Sequence, residues 1–351
     1  MALRIRENVP LAPLTTFELG GPARWYAEAT SAEEVAEAFD WAGREGCEVT
    51  ILGGGSNVVI ADEGIDGLVL RVAPRGVSFE GGAVVAHAGE PWDPFVASCI
   101  ERGLAGLECL SGIPGLAGAA PIQNVGAYGQ EVSETIRSVR VLDRIDRAVR
   151  ELPSAQCGFA YRDSFFKQVP DRFVVLAVTF DLRPRGEPAI RYAELDQALA
   201  GTARPSLREV RDTVIALRRD KSMVIDPADP NRRCAGSFFT NPILDRDAAA
   251  EVVARAVASG AAADASAVPQ WPTANGRVKL AAAWLIERSA IDKGLRRGNV
   301  GISTRHCLAL VHHGGGTTRE LLALAREVRD AVHARWGVTL VLEPTLIGCS
   351  G

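Results

Sequence analysis

The chain has 351 residues, of which 47% are hydrophobic and 23% charged, values of a folded globular protein rather than a disordered one. That length exceeds what a single hydrophobic core usually serves, so more than one domain is expected. Its 39 Lys and Arg against 43 Asp and Glu leave a net charge of −4, which supplies no basic field for nucleic acid or an acidic membrane surface. An anionic ligand must then be bound locally.

The opening stretch, Met1-Ala2-Leu3-Arg4-Ile5-Arg6, lacks the apolar core of a signal peptide, and the longest apolar runs, such as Phe173 to Val178, are of strand length. A cytoplasmic location is expected, with no nucleic acid, membrane or obligate protein partner. The seven cysteines are scattered and form no C-x-x-C pair, so neither structural zinc nor a disulfide framework is expected. Among the five histidines, His312-His313 precede Gly314-Gly315-Gly316 in an expected turn, with no third ligand spaced to complete a metal site.

In chain order, Ser31-Ala32-Glu33-Glu34 reads as a capping box opening a helix with Val35, Ala38, Phe39 and Ala42 inward and Gly46 at its end. A strand follows at 49–52, then Gly53-Gly54-Gly55-Ser56-Asn57, then the β-branched run Val58-Val59-Ile60, which favours another strand. A dinucleotide fingerprint needs strand, glycine turn and helix. Here the turn lies between strands, so a phosphate would be held by consecutive backbone N–H groups. Short strands are expected at 68–72 and 83–87, and a helix from Phe95 to Glu101.

The stretch from Gly112 to Gly129 carries Gly112, Gly115, Gly118, Gly126 and Gly129 and no charged side chain. A glycine-permissive apolar segment of this length suits backbone lying close against a large flat cofactor, with Gln123 and Asn124 supplying directed hydrogen bonds. Strands at 139–142 and 173–180 flank Tyr161-Arg162-Asp163-Ser164. Ser206-Leu207-Arg208-Glu209 caps a helix with Val210, Val214 and Leu217 inward that ends near Lys221. The run Asp226-Pro227-Ala228-Asp229-Pro230-Asn231 then breaks the chain. Helices follow at 246–258 and 279–288, Thr317 caps a long final helix closed by Gly337, and a strand is expected at 338–343. The pattern is that of an α+β protein.

One hydroxyl stands out. In Cys234-Ala235-Gly236-Ser237-Phe238-Phe239-Thr240-Asn241-Pro242, Ser237 sits between small residues that admit a close neighbour and two aromatics that exclude water. On the local pattern it reads equally as a turn serine.

Taken together, Gly53 to Asn57, Gly112-Ile113-Pro114-Gly115, Pro121 to Gly129, Tyr161 to Ser164, Ala235 to Phe239 and Leu342-Glu343-Pro344 resemble the UDP-N-acetylenolpyruvoylglucosamine reductase family, over about Leu14 to Gly348. The resemblance implies an FAD-binding fold of the vanillyl-alcohol-oxidase (PCMH) type. Two subdomains, 1–72 and 73–220, would clasp the flavin, and a third, substrate-binding α/β domain would span 221–351, its final segment able to pack back on the first. Tyr192, in Ile190-Arg191-Tyr192-Ala193-Glu194, matches the tyrosine loop of the longer subclass. Where the family often has lysine after the paired phenylalanines, this chain has Thr240, which puts a charge contact to the nucleotide in doubt.

The resemblance further implies a reduction in which hydride passes from NADPH to FAD and from flavin N5 to the terminal carbon of an enolpyruvyl ether, completing UDP-N-acetylmuramate for peptidoglycan precursor synthesis. FAD would be held non-covalently by Gly53, Gly54, Gly55, Ser56, Asn57, Ile113, Pro114, Gly115, Gly118, Gln123, Asn124, Gly126 and Tyr128. No histidine precedes His87, which argues against a histidyl flavin tether near the first glycine loop. Ser237 would give the proton to the enolate carbon, while Arg162 and Glu343 stabilise the enolate. Glu343 alternates with Thr339 and Val341, which is expected to point it inward, where burial favours the protonated carboxyl. The UDP-sugar would meet Tyr161, Tyr192, Lys221, Asn241 and Lys279.

Overall fold

The computed structural model describes residues 3–349. It divides into two compact units, one built from residues up to 14, 22–56 and 64–225, the other from 15–21, 57–63 and 226 onward. The expected segments 1–72 and 73–220 fall in the first unit, apart from the two short pieces that join the second, and each carries its own sheet.

The first sheet runs in the order Arg6–Pro10, Pro22–Ala29, Ile65–Val72, Val49–Leu52. Its outer pair Arg6–Pro10 and Pro22–Ala29 is antiparallel, and the remaining pairs are parallel. Parallel strands are covered on both faces, so Leu68-Val69-Leu70 reads as one buried run rather than an alternation. The covering helix Ala32–Glu45 buries Val35, Ala38, Phe39 and Ala42. Its Ser31 cap accepts the Glu34 N–H, but the Glu34 carboxylate turns to Thr30, accepting from its N–H at 2.6 Å and its hydroxyl at 2.8 Å. The reciprocal half of the expected capping box is thus made one residue early.

The second sheet is antiparallel throughout, in the order Val149–Pro153, Ile136–Asp143, Phe173–Asp181, Ala83–His87, Val77–Glu80. Helix Trp92–Glu101 starts three residues before the expected Phe95, and Trp92, Phe95 and Phe180 form a buried ring cluster with centroids 5.2–6.2 Å apart. Helix Leu207–Asp220 has both halves of its Ser206–Glu209 capping box. Its Val210 and Val214 pack with Leu195 of the short helix Ala193–Ala198, with Leu199 at that helix's C-cap and with Cys109.

The second unit is organised around helix Thr318–Trp336, whose Leu321, Leu324, Val328 and Val332 are buried and whose Trp336 meets Trp284 at 5.5 Å. Its N-terminus is capped twice: Thr317 accepts the Glu320 N–H, and the Asp62 carboxylate accepts the N–H groups of Thr318 and Arg319 at 2.7 and 2.9 Å. Around it lie helices Arg246–Ala258 and Ala282–Glu287, two three-stranded antiparallel sheets, and the parallel pair Val58–Ile60 with Thr345–Ile347.

Two expected elements change here. Residues 279–288 are not one helix: strand Val278–Leu280 pairs with Gln270–Pro272 and Ile243–Leu244 before the helix begins at Ala282. Residues 338–343 are extended but bridge only through Leu342 to Phe239, the regular strand coming later at Thr345–Ile347. Among the described residues no helix is long and apolar enough to cross a membrane, and no group of His, Cys, Asp or Glu is placed to hold a metal ion.

Helix Trp92–Glu101 is fastened by Asp93, whose carboxylate accepts two bonds from Arg211 at 2.6 and 2.8 Å and the Gly112 N–H at 2.6 Å. Burial pushes the Asp93 pKa up, but Arg211 and Gly112 outweigh it and hold it below its ordinary 3.8. A carboxylate depressed on folding stabilises the native state above its unfolded pKa, and that stabilisation is lost as pH falls through the folded value. Asp93→Asn is therefore expected to lower the thermal midpoint at neutral pH and to flatten its decline below about pH 4, as read by melting curves of both proteins from pH 3 to 7.

Candidate active site

Residues Gly53 to Ser56 leave strand Val49–Leu52 as a bend with no Cβ until Ser56. This loop meets the second glycine loop directly. A Cβ on Gly54 would stand 3.0 Å from the Gly115 Cα, and one on Gly115, at φ +123°, would stand 2.8 Å from the Ser56 Oγ. The Ser56 hydroxyl donates to the Pro114 carbonyl at 3.2 Å and pins the two loops together. Two motifs far apart in sequence are thereby brought into one backbone-lined cradle.

The cradle fits FAD. Beside Gly53 a side chain would meet only the Ala119 Cβ, at 4.0 Å, so space adjoins the loop. Neither loop carries a charged side chain, leaving backbone groups to face an anionic dinucleotide. The residues that would hold it are Gly53, Gly54, Gly55 and Ser56 with Ile113, Pro114 and Gly115, together with the half-buried Gln123, Gly126 and Tyr128.

Two further expected cofactor residues are engaged within the protein. Gly118 is buried, and a Cβ there would overlap Ala88 at 2.5 Å, so its lack of a side chain is required by packing. Asn124, 1% exposed and at φ +46°, donates to the Glu131 carboxylate at 2.7 Å and the Ala160 carbonyl at 3.0 Å, and accepts the Ser133 N–H at 3.1 Å. Its side chain braces the loop.

Tyr161 and Arg162 form the tip of a tight turn closed by paired backbone bonds between Ala160 and Asp163 at 3.0 and 3.1 Å. Arg162 takes φ +53°, uncommon for a residue with a side chain and a mark of an imposed conformation. Its Nη2 donates to the Gly126 carbonyl at 2.7 Å, and its guanidinium lies 5.5 Å from the Tyr161 ring. Asp163 turns elsewhere, accepting from the Ser164 N–H and the Gln168 amide, while the buried Ser164 hydroxyl donates to the Ile122 carbonyl. The turn that carries Arg162 is thus tied to the second glycine loop at Ile122, Gly126 and, through Asn124, at Ala160.

Tyr128, Tyr192 and Lys221 also converge. The two rings meet edge to face at 5.7 Å, and the Lys221 ammonium lies 5.7 Å from the Tyr128 ring. Burial pushes the Tyr128 phenol up to about 12 and raises that of Tyr192, to which the Glu194 charge adds. Lys221 Nζ donates to the Glu194 carboxylate at 2.5 Å.

In the second unit, Ser237 and Glu343 lie on neighbouring stretches. Phe239 bridges Leu342, the Glu343 N–H donates to the Phe238 carbonyl at 2.9 Å, and the Thr240 N–H donates to the Val341 carbonyl at 3.0 Å. Phe238 and Phe239 are fully buried, with Phe17 edge-on to Phe238 at 5.9 Å. The Asn57 amide donates to the Glu343 carbonyl at 3.2 Å, and the Asn57 carbonyl accepts the Thr345 N–H at 3.0 Å, so the last residue of the first glycine motif fixes the Glu343 backbone.

The expected reason for Glu343 pointing inward fails. Val341 is 64% exposed while Leu340 is buried, so the face shared by Thr339 and Val341 is the solvent side. Glu343 is half-buried because the segment turns into Pro344, which is itself buried. Asn241 accepts the Ala282 N–H at 2.9 Å and starts the helix there. Lys279 sits on strand Val278–Leu280 with its ammonium 5.6 Å from the Trp271 ring. The expected His312 turn is instead the buried end of strand Leu310–His312. Its Nδ1 pairs with the Phe17 carbonyl at 2.8 Å, and its Nε2 accepts the Gly316 N–H at 3.0 Å.

Supporting residues escaped the sequence reading. Buried Glu108 accepts the N–H groups of Gly106 at 2.7 Å and Ala189 at 2.9 Å, and its neighbour Cys109 donates its N–H to the Gln130 amide oxygen at 3.0 Å. Glu18 bridges Arg232 and Arg233, two residues before the Ala235 to Phe239 motif. The signal for Glu108 was present, an acid inside the apolar run Gly106-Leu107-Glu108-Cys109-Leu110.

Residues 227–347 match the family model of the UDP-N-acetylenolpyruvoylglucosamine reductase C-terminal domain, and residues 23–150 match that of an FAD binding domain. The chain is 50% identical to UDP-N-acetylenolpyruvoylglucosamine reductase of Thermobifida fusca, covering 99% of each chain. It is 46% identical to the protein of the same name from Mycobacterium tuberculosis, over 98% of this chain and 96% of that one. The chain belongs to the UDP-N-acetylenolpyruvoylglucosamine reductase family. A crystal structure of the reductase from Thermus caldophilus superimposes with a TM-score of 0.69 at 24% identity, covering 98% of this chain and 99% of that one, which establishes the shared fold. FAD is the cofactor of this oxidoreductase family, and the glycine cradle lies within the matched FAD binding domain.

The Gly54 to Gly115 contact yields a direct expectation. Gly115→Ala forces a side chain onto the Ser56 Oγ in a conformation alanine rarely adopts, at a cost of about 1–3 kcal/mol. The purified variant should melt lower and retain less flavin, read as the ratio of flavin to protein absorbance; an unchanged ratio would remove the cradle from FAD binding.

Proposed function

We propose that this chain reduces UDP-N-acetylenolpyruvoylglucosamine to UDP-N-acetylmuramate, with NADPH as electron donor. The family membership supports the reaction. The observation that carries the residue assignment is the Glu343 N–H bond to the Phe238 carbonyl, which sets Ser237 and Glu343 on paired stretches of one unit.

The substrate's double bond needs hydride at its terminal carbon and a proton at the carbon bearing the ether oxygen and carboxylate. Bound FAD, once reduced, supplies the hydride. The planar fork of Arg162, oriented by the Gly126 carbonyl, suits a carboxylate on which negative charge grows. Glu343, half-buried, donates to the same developing enolate when protonated. Ser237 delivers the proton to carbon, and the adjoining Phe238 and Phe239 keep the surroundings apolar.

Tyr161, Tyr192, Lys221, Asn241 and Lys279 bind the UDP-sugar, with Lys221 and Asn241 on the diphosphate. Thr240, where the family often has lysine, contributes a backbone bond to Val341 and no charge.

Two measurements test the reading. FAD-loaded protein given NADPH and UDP-N-acetylenolpyruvoylglucosamine should form UDP-N-acetylmuramate in equal amount to the NADPH oxidised; no turnover by the flavin-replete enzyme sinks the assignment. Ser237→Ala should leave flavin reduction by NADPH nearly unchanged and slow the oxidative half-reaction by about 10²-fold or more, measured by stopped-flow absorbance. Equal slowing of both halves would contradict the proton-donor role.

A further inference from the structure

Lys221, assigned above to an anionic diphosphate, is not waiting unpaired. Its ammonium donates to the Glu194 carboxylate at 2.5 Å, and both side chains are about one-third exposed, at 31% and 37%. Glu194 lies in the first turn of helix Ala193–Ala198, whose N-cap is Tyr192. Lys221 is the C-cap of helix Leu207–Asp220, which packs on that short helix through Val210, Val214, Leu195 and Leu199. The ion pair therefore joins the start of the tyrosine helix to the end of the longer one.

We propose that Glu194 is a positioning residue that acts as an internal counter-anion: it occupies Lys221 when no diphosphate is present and is displaced when one binds. The inference rests on the assignment of Lys221 to the diphosphate and deepens it. An ammonium has three donors and can serve a carboxylate and a phosphate together only if the two anions approach one another, which like-charge repulsion opposes. The incoming diphosphate carries the larger charge and wins. Its binding then releases Glu194 and with it the tether on Tyr192, whose ring is otherwise held edge-on against Tyr128 at 5.7 Å. Glu194 thus sets the affinity for the diphosphate and links its arrival to freedom of the tyrosine. Arg218 does not substitute for Lys221 in this exchange: it is 8% exposed and donates to the Met223 carbonyl at 2.7 Å.

The test is calorimetric titration of the FAD-loaded full chain with UDP, and with uridine as the phosphate-free control. Glu194→Gln keeps the size of the side chain and removes its charge. It should tighten UDP binding by about three- to fivefold, the range of a partly exposed ion pair, with uridine binding unchanged and the melting temperature lowered by about 3 °C at most. Lys221→Met should weaken UDP binding, and in that background Glu194→Gln should have no further effect. UDP affinity that is unchanged or weaker in Glu194→Gln, or tightening that persists without Lys221, overturns the inference. Wild-type protein that does not bind UDP overturns it together with the substrate assignment. Protein that binds UDP as described yet fails to oxidise NADPH counts against the reductase reading alone.

Discussion

The first unit depends on a contact made without side chains. Gly54 and Gly115 approach so closely that a single methyl on either would crowd the other loop, and the Ser56 hydroxyl ties the arrangement from the flank. Backbone laid against backbone exposes N–H and C=O groups at a density that side chains would dilute, which is what an uncharged site for an anionic, planar cofactor requires. The rest of the unit brings these loops to that point. One loop leaves the sheet strand Val49–Leu52. The other is gripped at its start by Asp93, which holds the Gly112 N–H and the Arg211 guanidinium at once.

The polar residues of the glycine loops follow from the same constraint. A loop with few side chains has little to hold it, so those it has are used internally. Asn124 makes three bonds to the protein, Ser164 anchors Ile122, and Glu108 satisfies the N–H groups of Gly106 and Ala189. An unsatisfied backbone N–H in such a setting costs about 1–3 kcal/mol, which is reason enough for a buried carboxylate at Glu108. Residue type alone suggested Asn124 as a cofactor contact; its side-chain bonds show that it also braces the loop. Polar identity in a glycine-rich loop thus marks a place where geometry is fixed.

How much was legible in the sequence divides along the range of the interactions. Helix caps at Ser206 and Thr317, the helix Arg246–Ala258 and the strand order around Gly53 to Asn57 are written in a few adjacent residues, and they appear where expected. The strand–turn–strand order also separated this fold from a Rossmann domain. Strands Arg6–Pro10 and Pro22–Ala29 were missed because the first is mostly exposed and the second carries Pro22, Arg24 and Glu28 among its apolar residues. Glu343 failed for a related reason. Alternation assigns a face only while a strand lasts, and here the chain is paired at one bridge and then turns at Pro344.

The same division governs the site. Motifs announce themselves locally, but what fixes a reactive group is made by partners distant in sequence. Arg162 shows this most clearly. Its sequence neighbour Asp163 invites an ion pair, yet the turn at Ala160 and Asp163 sends the two side chains apart and gives Asp163 to Ser164 and Gln168. Arg162 is then held by the Gly126 carbonyl in a backbone conformation that costs energy. The same loop that gives this carbonyl also receives the Ser164 hydroxyl at Ile122, so the turn and the loop hold each other. The left-handed backbone at Arg162 is thus offset by contacts distant in sequence, with the neighbouring glycine loop supplying the backbone oxygen that fixes the guanidinium.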